Sequence, residues 1–332
     1  MIVYSDGFLK HHMDGHPENR ERLRAIKGFL QEMGVFETLP LVEPQAAGKK
    51  DILLVHSKRH LEEMKATSGL SSPVYGDTYF TGETYRAALL AAGGVLTALN
   101  SSADTGFALV RPPGHHATRD RAMGFCIFNN VAVGAAYARE KGYKKAAILD
   151  FDLHHGNGTQ EIFYEDRVLY ISLHQWPHYP GTGSLDELGA GEGMGYTINI
   201  PLPAGTGDES YGLALDEIVF PVLEDFGPEL LLVSAGYDAH FSDPLGGLQL
   251  STETYLRISE DVKGLAKKSV FSLEGGYNLL WLPRCVHASL QGLYGLEGEE
   301  RVQAPEESRT ASDIVRSRIR SLRDALSPYW SL

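Results

Sequence analysis

Cysteine is scarce in this chain. Its 332 residues hold two, Cys126 and Cys285, far apart in sequence. They offer no disulfide framework and suit a reducing compartment. Long hydrophobic runs are missing as well. No apolar stretch approaches the roughly 18 residues that a membrane span requires, and Met1-Ile2-Val3-Tyr4-Ser5-Asp6 does not read as a signal peptide. The expectation is a soluble, cytoplasmic protein without a membrane partner. Basic residues are outnumbered, 30 Lys and Arg against 43 Asp and Glu, for a formal net charge of −13. A nucleic-acid surface needs a basic patch, so nucleic acid is excluded as the expected partner. The acidic balance is compatible with cationic substrates such as lysine-bearing peptides or polyamines, and equally with plain solubility. No Gly-x-Gly-x-x-Gly fingerprint and no Walker loop occur, so nucleotide chemistry finds no support. Internal repeats, low-complexity tracts and linker-like segments are absent before about residue 298.

What is present is an alternation of strands and helices. Apolar runs at 106–110, 145–149, 168–173, 230–234 and 269–273 each end in a polar or glycine-rich loop. Helix-like segments cover 84–99, 130–141, 209–226 and 252–268. Such alternation predicts an α/β fold, one domain with a central, mostly parallel sheet flanked by helices. Ligands bind such sheets beyond the carboxyl ends of the strands. The catalytic domain is expected over 1–297. The segment 298–332 reads as a polar linker and an amphipathic helix, whose stripe of Val315, Ile319, Leu322 and Leu326 packs on the domain. A homo-oligomer contact is the other use open to that stripe.

Four strand ends carry polar clusters. Ile148-Leu149-Asp150-Phe151-Asp152-Leu153-His154 reads as a strand running into a loop, and period-two alternation puts Asp152 and His154 on one face. An Asp oxygen and a His nitrogen are two of the three protein ligands of a catalytic zinc, although a capped strand end reads the same way. Asp150 and Asn157 are candidates to orient nearby imidazoles. Arg111-Pro112-Pro113-Gly114-His115-His116-Ala117 supplies two histidines, which extended backbone would aim in different directions. His115 and His116 suit a general base and a general acid. The run 231–235 leads to Asp238, which would complete an Asp-His-Asp set suited to Zn²⁺ or to Fe(II), Mn(II) or Co(II). His240 reads as a loop residue. Last, Glu274-Gly275-Gly276-Tyr277-Asn278 brings a phenol near the centre, a donor for a developing oxyanion.

The motifs Arg-Pro-Pro-Gly-His-His-Ala (111–117), Met-Gly-Phe-Cys (123–126) and Asp-Phe-Asp-Leu-His-His-Gly-Asn-Gly-Thr (150–159) continue as Tyr-Pro-Gly-Thr-Gly (179–183), Ser-Ala-Gly-Tyr-Asp (234–238) and Glu-Gly-Gly-Tyr-Asn (274–278). In this order the chain resembles the histone deacetylase superfamily, with its acetylpolyamine amidohydrolases, from about residue 11 to 295. The resemblance implies an arginase/deacetylase fold and one Zn²⁺ on Asp152, His154 and Asp238. It implies catalysis by His115, His116 and Tyr277, with Asp150 behind the first histidine and Asn157 behind the second. Asn at that place is similar to the class II pattern. Structural K⁺ is implied at Asp150, Asp152, His154, Ser172 and Leu173, with a second site at Phe163, Asp166, Val168 and Tyr196. Phe125 and Tyr179 match the walls of an acyl-lysine tunnel. Gly275, Leu245, Asp77 and Arg22 fall at substrate-binding positions, Asp77 at the rim and Arg22 beside an inner acetate channel.

The implied activity is zinc-dependent hydrolysis of acetyl-lysine or a related N-acyl amine by a metal-activated water. The alternative substrate is an acetylpolyamine or another small N-acetyl amine. The polyamine-selective branch carries Glu where this chain has Leu245, which leans the reading toward acyl-lysine. An arginase-like ureohydrolase would need a second metal and has an Asp where Gly156 stands. A silent acyl-lysine-binding module is disfavoured by the intact Tyr277 and histidine pair.

Overall fold

A computed structural model describes residues 1–68, 74–298 and 304–332. Part of the expected linker, 299–303, lies outside the described residues. The strands are β1 (Ile2–Val3), β2 (Leu41–Val42), β3 (Val74–Tyr75), β4 (Thr78–Tyr79), β5 (Thr105–Ala108), β6 (Ala146–Asp150), β7 (Leu169–Gln175), β8 (Thr197–Leu202), β9 (Leu230–Ala235) and β10 (Lys268–Leu273). The helices are α1 (Glu21–Glu32), α2 (Val35–Thr38), α3 (Lys49–Ile52), α4 (Lys58–Ala66), α5 (Thr84–Asn100), α6 (Asn130–Glu140), α7 (Asn157–Phe163), α8 (Asp208–Ala214), α9 (Phe220–Phe226), α10 (Thr252–Asp261), α11 (Leu282–Tyr294) and α12 (Arg309–Leu326).

Eight strands form one parallel sheet in the order β2-β1-β5-β10-β9-β6-β7-β8, and β3 pairs with β4 in a separate hairpin. Strands of a parallel sheet are covered on both faces, which is why β9 reads Leu-Leu-Leu-Val-Ser-Ala with every residue buried. Helices α5 and α6 pack on each other and across the central strands, while α11 packs on α10 and α1. The strand order decides where chemistry can occur. Strands β5, β10, β9 and β6 are spatial neighbours, so four loops far apart in sequence leave the sheet side by side.

Two boundaries differ from the sequence expectation. The helix expected over 252–268 ends at Asp261, and Lys268 already opens β10, its ammonium donating to the Ser101 carbonyl at 2.8 Å. The segment 209–226 is helical but not uniform: a π-helical turn, Leu215–Val219, joins α8 to α9. Strand β8 has no counterpart among the sequence runs. At the C-terminus, Val315, Ile319, Leu322 and Leu326 of α12 are buried against β8 and α8. Among the described residues, no helix is long and apolar enough to cross a membrane.

Candidate active site

Strand β6 stops at Asp150, before the pair that strand alternation was expected to align. Asp152 and His154 meet in a bend instead. The His154 N–H donates to Asp152 Oδ1 at 2.8 Å, and the same oxygen lies 3.1 Å from His154 Nδ1. That nitrogen is also 3.1 Å from Asp238 Oδ2, which arrives from the loop after β9. One ring nitrogen carries at most one hydrogen, yet two carboxylates converge on it. Burial alone would lower the His154 pKa, but its bonds to Asp152 and Asp238 outweigh that and lift it to about 10.

Backbone donors hold the carboxylates in place. Gly275 N–H reaches Asp152 Oδ2 at 2.8 Å, and Leu153 N–H reaches Asp238 Oδ1 at 3.0 Å. Only glycine leaves them room. A Cβ on Gly236 would lie 2.0 Å from Asp152 Oδ2, and one on Gly275 would lie 2.3 Å from Asp238 Oδ2. The three donor groups lie within 4.8 Å of one another. Two buried carboxylates and an imidazole in that space fit a divalent cation that accepts oxygen and nitrogen ligands, because it replaces the shared proton and cancels their repulsion.

The two histidines also depart from expectation. Residues 115–116 form a turn closed by the Ala117 N–H on the Gly114 carbonyl at 3.0 Å, not extended backbone. Their rings therefore lie side by side, with centroids 4.0 Å apart. His115 Nδ1 is 3.1 Å from Asp150 Oδ2, an oxygen that also accepts the Tyr170 hydroxyl at 3.2 Å. His116 Nδ1 is 2.8 Å from Asn157 Oδ1. Burial works against the charged form of both rings. For His115 the Asp150 and Asp152 carboxylates overcome it and raise the pKa to about 10. For His116 burial is reinforced by the neighbouring His115 and His154, and the pKa falls well below the ordinary value. Tyr277, from the loop after β10, is half-buried, and the water it loses pushes its phenol well above the usual range and keeps the hydroxyl protonated.

His115, His116, His154 and Tyr277 line a cavity of about 260 Å³, walled by Phe125 and Tyr179 and bordered by His178, Leu245, Gly275 and Asp77. The Tyr179 ring meets His116 edge-on at 5.1 Å, and Phe125 meets Tyr277 edge-on at 6.0 Å. Phe125 has φ +67°, a left-handed conformation that costs a non-glycine residue about 1–3 kcal/mol. It is held by the Thr78 hydroxyl, which accepts the Phe125 N–H at 3.0 Å. Asp77 Oδ1 accepts the adjacent Gly124 N–H at 3.0 Å and the Thr78 hydroxyl at 2.9 Å. Asp77 thus borders the cavity, and one of its oxygens is already engaged.

Arg22 is fully buried behind Tyr277. It donates to the Gly276 and Glu274 carbonyls at 2.6 Å each, and its guanidinium lies 4.9 Å from the Tyr277 ring centroid. Glu18 bridges Arg22 and Arg111, and both partners hold its pKa near 2 against burial. Sequence reasoning gave no role to Glu18 or Arg111. It also passed over Glu274, whose Oε2 accepts the Gly114 and His115 N–H groups at 2.6 and 3.2 Å and so fixes the histidine turn. His178 escaped notice too, although its ring stacks on His154 at 5.1 Å. Their only sequence signal was proximity to motifs that drew attention for other residues.

Of the expected potassium ligands, Asp150 ends β6 opposite Ser172 in mid-β7, Leu173 is next along that strand, and Asp152 and His154 lie in the bend after β6; the Ser172 hydroxyl lies 2.9 Å from His174 Nδ1. Phe163, Asp166, Val168 and Tyr196 stand at the opposite end of β7 and β8. There the Tyr196 carbonyl accepts the Tyr170 N–H at 2.8 Å, and Asp166 pairs with Arg139. His240 stays out of the site, stacked on Trp281 at 4.8 Å.

This arrangement has close counterparts. The histone deacetylase domain model matches residues 16–293. A probable deacetylase of Archaeoglobus fulgidus is 44% identical over 291 residues, covering 84% of this chain and 81% of its own. A histone deacetylase-like amidohydrolase of Pseudomonas aeruginosa is 36% identical, covering 93% of this chain and 86% of its own. Among solved structures, the HDA15 HD domain superposes with a TM-score of 0.90 at 36% identity, over 99% of this chain and 94% of that one. The chain belongs to the histone deacetylase family of deacetylases and amidohydrolases.

Proposed function

We propose that this protein is a zinc-dependent deacetylase that hydrolyses the amide of acetyl-lysine or a related N-acyl amine. The observation that carries the reading is the convergence of Asp152, His154 and Asp238 at the foot of an aromatic-walled cavity, beside one imidazole built to be neutral and a phenol built to stay protonated. Asp152, His154 and Asp238 would hold the zinc. When bound, such a cation polarises the amide carbonyl and lowers the pKa of a water to near neutrality. Potassium beside Asp150 and Ser172, and at the more distant Tyr196 site, belongs to the same proposal.

The remaining work falls to the chain's own residues. Phe125 and Tyr179 clasp the apolar stem of the substrate and exclude water from it. Neutral His116 takes a proton from the attacking water as its oxygen bonds to the carbonyl carbon. Tyr277 donates its hydroxyl to the carbonyl oxygen as charge develops there, a contribution worth about 10²–10³ in rate. His115, kept protonated by Asp150, gives a proton to the amine as the C–N bond breaks. Acetate and a free amine leave. The division between the histidines follows from environments that push two neighbouring pKa values apart.

Lysine is favoured over a polyamine by the rim. Among the described residues lining the cavity, Asp77 is the one carboxylate, and Leu245 stands where, by the resemblance, the polyamine-selective branch carries Glu. The test compares zinc-loaded enzyme on an acetyl-lysine peptide with acetylputrescine and acetylspermidine. The expected outcome is a higher kcat/KM on the peptide, by about tenfold or more. A large preference for the small amines would replace the lysine reading with the polyamine one. In parallel, Asp238→Ala should abolish both bound metal, measured per chain, and turnover. Turnover without metal would defeat the mechanism.

A further inference from the structure

The loop after Asp238 carries a second buried carboxylate, Asp243, to which the chemistry above assigns no part. Three backbone N–H groups point at it. Leu245 N–H donates to Oδ1 at 3.0 Å, while Tyr277 N–H and Asn278 N–H donate to Oδ2 at 2.6 and 3.1 Å. The first is a local turn, two residues along the chain. The other two join loops 34 and 35 residues apart and are not needed to form that turn. Asn278 answers from the other side, its Nδ2 donating to the Ser242 carbonyl at 2.8 Å. The carboxyl ends of β9 and β10 are thereby stitched together at the residue that carries the phenol.

Tyr277 has particular need of such a stitch. It follows Gly275 and Gly276, and Gly276 sits at φ +110°, a backbone that glycine adopts readily but that resists little displacement. Arg22 faces the ring and holds the Gly276 and Glu274 carbonyls ahead of it, and Phe125 meets the ring edge-on, but neither one binds the Tyr277 N–H. The Asp243 carboxylate grips that chain at Tyr277 itself. Through Leu245, whose carbonyl lies 3.1 Å from His178 Nε2, the same carboxylate also anchors the cavity rim.

We propose that Asp243 is a positioning residue, whose carboxylate holds the Tyr277 backbone so that the phenol meets the substrate oxygen as charge develops on it. This rests on the reading of Tyr277 as oxyanion donor. Geometry of this kind matters because a displacement of about 1 Å in a reacting group can cost about 10²-fold in rate.

The test is a double-mutant cycle on the zinc-loaded enzyme, with metal content measured for every variant. Tyr277→Phe alone examines the donor reading; unchanged kcat there would remove the basis of this proposal and of that reading together. With Tyr277→Phe impaired, Asp243→Ala is expected to lower kcat by about 10–30-fold, leave KM within about threefold and keep the metal. Asp243→Asn, which retains one acceptor oxygen, should fall less. The double variant should be no slower than Tyr277→Phe, because a positioning residue has nothing left to position. Additive losses, a loss explained by missing metal, or an unchanged kcat in Asp243→Ala would each overturn the assignment while leaving the donor reading intact.

Discussion

His115 and His116 are adjacent in sequence, similar in burial, and have rings 4.0 Å apart, yet they hold protons with opposite tenacity. The difference lies in what stands behind each ring. His115 leans on Asp150, with Asp152 nearby, and two carboxylates stabilise the imidazolium enough to defeat desolvation. His116 leans on Asn157, a neutral acceptor that orients the ring without paying for a charge, and the cationic tendencies of His115 and His154 press the same way. Burial disfavours both imidazolium ions; the carboxylates behind His115 reverse that, and the carboxamide behind His116 does not. The partners matter more than the imidazoles.

The sharpest way to break this comparison is to remove each ring in turn. His116→Ala should lower kcat/KM by about 10³-fold, within the range for loss of a general base, with bound metal retained. His115→Ala should cost less, about 10²-fold, because its role is to supply charge and a proton late in the reaction. Equal losses, or a larger one at His115, would reverse the assignment. Both are read by steady-state kinetics with metal content as a control.

A smaller and more discriminating effect is expected from Asn157→Asp. A base works in its neutral form, so activity rises with pH through the base's pKa. With that pKa lowered in His116, the acidic limb of kcat/KM is expected below the ordinary histidine range in the native enzyme. The new carboxylate favours the imidazolium and moves the limb upward by about one pH unit. Activity on the acidic limb should drop while activity near pH 8 is kept. An unmoved limb would mean that Asn157 does not govern the base.

Much of the site was legible in sequence because its donors are rare residue types at strand ends. Asp152, His154 and Asp238 were named from the pattern, and they do converge. For the first two the cause is not strand alternation: β6 ends at Asp150, and a bend brings them together. The histidine pair was expected on extended backbone and lies on a turn, because Glu274 gathers the Gly114 and His115 amides. Glu274 and Asp243 were invisible as participants. Each acts through backbone N–H groups of a distant loop, and backbone groups leave no trace in side-chain chemistry. Strand β8 was missed, since Thr-Ile-Asn-Ile-Pro-Leu reads as half polar, whereas in place all six residues are buried.

By itself, the sequence determined the α/β class and the chemical identity of the donors, which follow from local composition and periodicity, whereas the aromatic walls were implied only by the resemblance of its motifs. Only the tertiary structure decided that β5, β10, β9 and β6 stand side by side, since parallel pairing joins segments remote in sequence and local pattern does not encode the order. That order brings Asp238 to His154, Tyr277 to the loop of Asp243, and Asp150 and Asn157 behind different rings. The proton affinities of two identical neighbours were settled there, by the charges each one faces.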